Sequence, residues 1–185
     1  MRKSKEEAIQ TRKRIVATAA SEFRKKGVVA SGLNELMNES GLTRGGFYKH
    51  FESKDQLVAE ACAEALADSA AKLSAFASQG GAKAIGAYLS STHRDNPGAG
   101  CPLAAIGSEL ARCDERTREV VTEGFRELVT LVSRQFGDLP AAQAKRRAMV
   151  GVSTMIGALT MSRIVNDPNL SSAILKEAQK SLSQR

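Results

Sequence analysis

Nine residues between Ser31 and Lys54 hold most of the chemistry in this sequence: Ser31, Thr43, Arg44, Gly45, Gly46, Tyr48, Lys49, His50 and Lys54. They are hydroxyls, cations and glycines, a set suited to recognising an anionic polymer without covalent chemistry. Arg44 carries a planar fork of donors that matches the O6 and N7 acceptors of guanine in the major groove. Tyr48, Lys49, His50 and Lys54 suit phosphate oxygens, contacts that position a protein on a duplex without reading its sequence. Gly45 and Gly46 cost a helix about 1 kcal/mol each relative to Ala. Close approach of backbone to a groove would explain that cost. Plainer readings stand beside these. Tyr48 can pack on the preceding helix, His50 can be an ordinary surface histidine, and Lys49 and Lys54 can be solvated charges.

The elements that must position these residues follow from local pattern. Ile15, Ala19 and Phe23 recur at i, i+4 and i+8 and predict a helix over 6–26, closed by Gly27 after two lysines. Ser31 is placed as the N-cap of a short second helix with Leu33, Leu36 and Met37 inward. Gly41 supplies the left-handed residue of a tight turn, and Leu42 plugs the angle between two helices. Thr43 caps a third helix in which Phe47 and Phe51 share a face. With that pair inward, Gly45 and Lys49 point away from the core. Ser53 to Gln56 is a capping box that opens a long fourth helix reaching Ser78. Two short helices about a glycine turn make a helix-turn-helix, so duplex DNA is the expected partner.

Charge placement agrees. The chain carries a net charge of +7. Residues 1–54 hold 12 Lys and Arg against 6 Asp and Glu, and residues 55–185 hold 15 against 14. The excess lies where the motif lies, as an electrostatic footprint for DNA should. A nucleic-acid binder without sequence preference would share that footprint but would leave the large neutral remainder without purpose. No apolar run approaches the roughly 20 residues of a membrane span, and MRKSKEEAIQTRK lacks the apolar core of a signal peptide. Three cysteines without CxxC spacing (Cys62, Cys101 and Cys113) suit a reduced, cytoplasmic protein. No metal or phosphate motif appears and no cofactor is expected. A hydrolase built on Cys101 and His93 has no evident orienting acid.

The remainder reads as helical. Helices are expected over 82–93, 102–112, 114–136, 141–166 and 170–182, with 94–100 a loop. The fold class is therefore all-α with about nine helices. A DNA-binding domain is expected over 6–67 and a second domain over 68–185, with the hinge inside the fourth helix near Ala67.

The segment GLTRGGFYKHFESKDQLV, together with TRKRIVATAASEFRKKG, resembles the opening of TetR-type transcriptional regulators over about Gln10 to Ala61. One departure is Leu36-Met37, where family members more often carry Ile-Ala. The resemblance implies a homodimeric repressor with a helix-turn-helix domain and a larger effector-binding domain. It binds a palindromic operator and is released by a small molecule. The resemblance also implies dimerisation through a four-helix bundle, here expected from 115–136 and 141–166. Gly151, Ser153, Gly157, Ala158 and Ser162 permit close helix approach, in an interface or in a packed core. Candidate lining residues for the effector pocket are Phe76, Tyr88, His93, Cys101, Phe125 and Met155, with Met149 and Met161; each can equally be plain core. Cys101 sits before a helix start, where the helix N-terminus can depress a thiol pKa. It resembles the cysteine of electrophile-sensing members of the family, or it is a small buried apolar residue.

Overall fold

The computed structural model describes residues 5–184. Met1–Ser4 and Arg185 lie outside the described residues, and with them Arg2 and Lys3 of the basic N-terminus and the last position of the expected second domain. The described residues form α1 (Lys5–Lys26), α2 (Leu33–Glu39), α3 (Arg44–Phe47), α4 (Lys54–Ala77), α5 (Gly81–Tyr88), α6 (Ser91–Asp95), α7 (Pro102–Leu110), α8 (Glu115–Ser133), α9 (Ala141–Ile164) and α10 (Pro168–Ser183). Short 3-10 turns occupy Pro97–Ala99 and Arg134–Phe136. No strand occurs among the described residues, so the chain is all-α as its periodicity implies.

The tenth helix arises because the single helix expected over 82–93 is two. Leu89 leaves the helical region, and the Ser90 hydroxyl accepts from the His93 amide at 3.1 Å to start α6. That N-cap outweighs the apolar continuity of the stretch. The expected loop at 94–100 likewise holds the end of α6 and a 3-10 turn.

Two cores are built on α4. The first joins Ile15, Phe23, Leu36, Met37, Phe47, Phe51 and Leu57 with Cys62 and Ala65 of α4. The second joins Ala70 and Leu73 of α4 with Leu89, Leu128, Val152, Met155 and Leu159. The cores change over between Ala65 and Ala70, inside a helix that is itself unbroken. Helix α7 serves both: Cys101 and Ala104 lie in the second core, Ile106 and Leu110 in the first. Gly124 lets α8 lie close on α4, because a Cβ there would sit 2.5 Å from Leu66 Cδ1.

Candidate functional site

The first half of the site is the turn between α2 and α3. Gly41 adopts φ +70°, and its amide and that of Leu42 bond to the carbonyls of Asn38 and Met37. Phe47 and Phe51 are buried and stacked with centroids 5.3 Å apart, so they fix the rotation of everything between them. Arg44, Gly45, Tyr48 and Lys49 are left exposed, and Gly46 is half-buried. Tyr48 is 63 % exposed and meets Phe47 edge-on, so its ring stands largely in solvent. A Cβ on Gly45 would meet nothing within 4 Å, and one on Gly46 only ordinary contacts at 3.9 Å. The fold therefore has no internal need for either glycine. Arg44 and Lys49 make no ion pair among the described residues.

Three expectations here are corrected. Ser31 is not the cap of α2, because Gly32 holds that position. The Ser31 hydroxyl is buried and donates to the Gly27 carbonyl at 2.6 Å, so it faces inward rather than toward a duplex. Thr43 occupies the N-cap position of α3 but its hydroxyl makes no capping hydrogen bond. Lys54 bends back and donates to the carbonyls of Val28 and Ser31 at 2.7 and 2.8 Å, tying α4 to the loop before α2. The Ser53–Gln56 box forms with a variation: Ser53 accepts from the Gln56 amide, but the Gln56 side chain reaches the amide of Glu52.

Arg12 lies outside the expected site. Its guanidinium pairs with Glu60, covers the Phe51 ring at 4.5 Å and donates to the His50 carbonyl. It braces the end of the turn motif against α1 and α4. Lys25 and Lys26 are also committed, to Glu22, with Lys26 reaching Glu35 and Glu39 of α2. Hydrogen bonds from Lys25 and Lys26 hold the Glu22 carboxyl below its usual range despite partial burial. Arg12, Lys25 and Lys26 are thus engaged in internal pairs, while Arg44 and Lys49 of the turn motif, like Lys13 and Arg14 of α1, stay exposed.

The second half is a cavity of about 450 Å³ between α4, α5, α6 and the segment 99–101, within the range of about 300–1,000 Å³ typical of ligand pockets. It brings together Phe76, Tyr88, His93 and Cys101 as expected, and adds Ser69, Lys72, Leu73, Ser90, Thr92 and Asn96. Phe125 and Met155 do not line it. Both pack into the second core, Met155 at 2 % exposure. Met149 and Met161 stand on the outer face of α9 instead. The break at Ser90 builds this cavity, since it turns α6 back across the end of α5. Ser90 as a cap was the missed signal.

His93 clasps the cavity. Its Nδ1 lies 2.7 Å from the Tyr88 carbonyl and its Nε2 accepts from the Cys101 amide at 2.9 Å, which makes the neutral ring with hydrogen on Nδ1 the fitting form. Burial holds its pKa below the ordinary value, and the charges of Arg163, Lys72 and Arg24 act the same way. A Cβ on Gly100 would sit 2.5 Å from His93 Nε2, so only glycine lets the wall come this close. Cys101 does cap α7 positionally, but its thiol is corrected from the depressed pKa expected there. Burial pushes it up, against the opposing pull of Tyr88, the Ala104 and Leu103 amides and Arg163. Burial likewise raises Cys62, to about 12.

A helix-turn-helix that leaves Arg44 and Lys49 outward, joined by a shared helix to a helical body with a cavity, defines a class of DNA-binding proteins. The comparisons narrow this. The profile of bacterial regulatory proteins of the tetR family matches residues 15–61, and that of the LmrA/YxaF-like regulator C-terminal domain matches 77–179. The chain belongs to the TetR family of transcriptional regulators. It is 28 % identical over 170 residues to an uncharacterised HTH-type transcriptional regulator of Mycobacterium tuberculosis, covering 84 % of this chain and 86 % of that one. It is 39 % identical over 59 residues to the probable acrEF/envCD operon repressor of Escherichia coli, covering 32 % of this chain and 27 % of that protein. Its fold matches E. coli NemR in reduced form with a TM-score of 0.77 at 21 % identity, over 94 % of this chain and 95 % of that one. The first two of these relatives bear the names of a transcriptional regulator and an operon repressor. No helix among the described residues is long and apolar enough to cross a membrane.

Proposed function

We propose that the chain is a cytoplasmic homodimeric repressor that holds a palindromic operator and releases it when a small molecule enters the cavity. The observation that carries the reading is the exposed group Arg44, Gly45, Tyr48 and Lys49, with glycines that the fold itself does not need. Arg44 reads a base edge there, while Tyr48, Lys49 and His50 contact backbone phosphates. The named repressor among the relatives supports the sign of regulation. Dimerisation is supported by an outer stripe on α9. Val150, Met161 and Ile164 are 56, 47 and 66 % exposed, and exposed Ser153 and Gly157 lie between them. Leu170 of α10 adds to it at 48 % exposure. The outer face of α8 is instead charged, with Glu115, Arg118, Glu119, Glu123 and Arg126 exposed. The bundle is therefore assigned to α9 and α10 rather than to α8 and α9.

Selection of duplexes from a random pool tests this. A palindromic consensus bound by a dimer, with affinity falling steeply as salt rises, is the expected result. Equal binding to every duplex would sink it.

A second reading makes Cys101 the input, modified by an electrophile or oxidant. Tyr88, two backbone amides and Arg163 all favour the thiolate once burial is relieved. If Cys101→Ser still releases the operator on treatment with such a reagent, this reading is wrong.

A further inference from the structure

We propose that Arg24 couples the cavity to the DNA-reading head, by tying α1 to the wall segment 97–101. The inference rests on the reading above of an effector-responsive DNA binder, and names the contact through which the two sites influence each other.

Arg24 opens the basic last turn of α1 yet is only 8 % exposed. Its Nη1 donates to the Gly100 carbonyl at 2.9 Å across 76 residues of sequence. Gly100 and its neighbour Cys101 line the cavity, so the bond runs from the cavity wall directly into the head's first helix. Nothing else satisfies the group well. Its Nε is buried without a hydrogen-bond partner, and Glu64 and Asp68 of α4 act on it only through longer-range charge. A buried charge held this way is a poor strut, since well-packed apolar residues do as well or better in such places. It is suited to a contact that can be made and broken.

The surroundings put the wall and the head in register at two more points. The turn Pro97–Ala99 lies so close on α1 that a Cβ on Gly98 would be 2.7 Å from Lys25 Cε and 3.0 Å from Ser21 Oγ. At the far end of α7, Glu109 Oε2 accepts from the Val29 amide at 3.0 Å, beside Gly27 at φ +91°. Helix α7 therefore starts at the cavity with Cys101 and ends against the loop before the turn motif. Its residues belong to both cores, so it moves with one only by disturbing the other. An occupant that displaces Gly100 from its place against His93 must also strain or release the bond to Arg24.

Coupling is reciprocal, so the duplex itself can serve as the probe without knowledge of the effector. Hydrogen exchange at the amides of Gly98, Ala99, Gly100, Cys101 and Leu103 is measured with and without a duplex selected on the wild-type chain. In the wild type, binding should change exchange there about fivefold or more. In Arg24→Gln that still binds the duplex, the change should fall below about twofold, and Arg24→Lys, which can still donate to Gly100, should recover part of it. An Arg24→Gln response equal to wild type overturns the proposal, as does wild-type binding that leaves these amides unchanged. Absence of any wild-type duplex binding overturns the DNA-binding reading itself and this inference with it, a result visible in the binding step alone. If Arg24→Gln does not hold its fold, Gly98→Ala separates the same surfaces from the other side. Its full retention of the response would also overturn the proposal.

Discussion

Arg44 and Lys49 stand in solvent without an ion pair among the described residues, whereas His93 has both ring nitrogens engaged inside the protein. The head presents its polar groups ready for use, on a frame that Phe47, Phe51 and Arg12 hold still. The body encloses its polar groups around a cavity and satisfies many of them with one another. A surface of the first kind can bind with little backbone adjustment. The cavity already has room for an occupant, but its wall is held by bonds that join it to the rest of the fold, so an occupant that presses on that wall carries conformational consequences that binding at the head does not.

The largest test of this contrast removes the frame. Phe47→Ala deletes a side chain with 0 % exposure at the centre of the head and should cost about 3–5 kcal/mol. Thermal unfolding should show an early transition of the head, with duplex binding lost at the same temperature. If Phe47→Ala binds the selected duplex normally, the presented surface does not depend on this packing and the contrast fails.

Arg44→Ala is next and should act without any change in melting, because the side chain is exposed and makes no ion pair among the described residues. Discrimination between the selected duplex and an unrelated one should shrink by about 1–3 kcal/mol. Titration of both duplexes at one salt concentration decides it. Equal loss on the two would reassign Arg44 to the phosphates.

The same contrast governs what the sequence made legible. The head was readable because its signals are local: a glycine at a left-handed turn, an aromatic pair at i and i+4, a Ser-Lys helix start. Even so, Ser31 and Lys54 were read as outward when they bond inward to carbonyls of the 27–31 loop. Local pattern does not say where a flexible side chain will find its acceptor. In the body, Phe76, Tyr88, His93 and Cys101 were recognised but Phe125 and Met155 were not separable from them. Type alone does not separate them; Phe125 and Met155 turn into the second core from α8 and α9, while the break at Ser90 brings His93 back to Tyr88 and Cys101. Across 82–93 only the Ser90 hydroxyl marks that break. The long-range bonds of Arg12, Arg24 and Glu109 left no periodic trace at all.

On the body's side of the contrast, acidification is the direct probe. Burial and the neighbouring cations disfavour the charged form of His93 in the folded chain. The unfolded chain therefore binds a proton more readily. The contribution of neutral His93 is fully present above its ordinary pKa of 6.5 and is lost progressively as the pH falls below it, toward the depressed value. The melting temperature should drop across that window, by about 2–4 °C per kcal/mol in a chain of this size. His93→Gln should flatten that slope. A wild-type slope unchanged by the substitution would show that the clasp does not titrate there.

The smallest expected effect is at Tyr88. Its ring lines the cavity, but its hydroxyl is buried without a hydrogen-bond partner, and burial drives its pKa well up. An unpaired hydroxyl in the solvent-facing head would be hydrated at no cost, as that of Tyr48 can be. In the body it carries a desolvation penalty that only the neighbouring Cys101 thiol, a weak partner, is placed to offset among the described residues. Tyr88→Phe should therefore leave the melting temperature unchanged, or raise it by the equivalent of up to about 1 kcal/mol. The alternative is that the hydroxyl matters through Cys101, whose thiolate it would stabilise. In that case Tyr88→Phe slows alkylation of Cys101 while stability stays level. Melting and peptide-resolved alkylation rates on the same variant separate a tolerated defect of the enclosed region from a group held in reserve for the thiol.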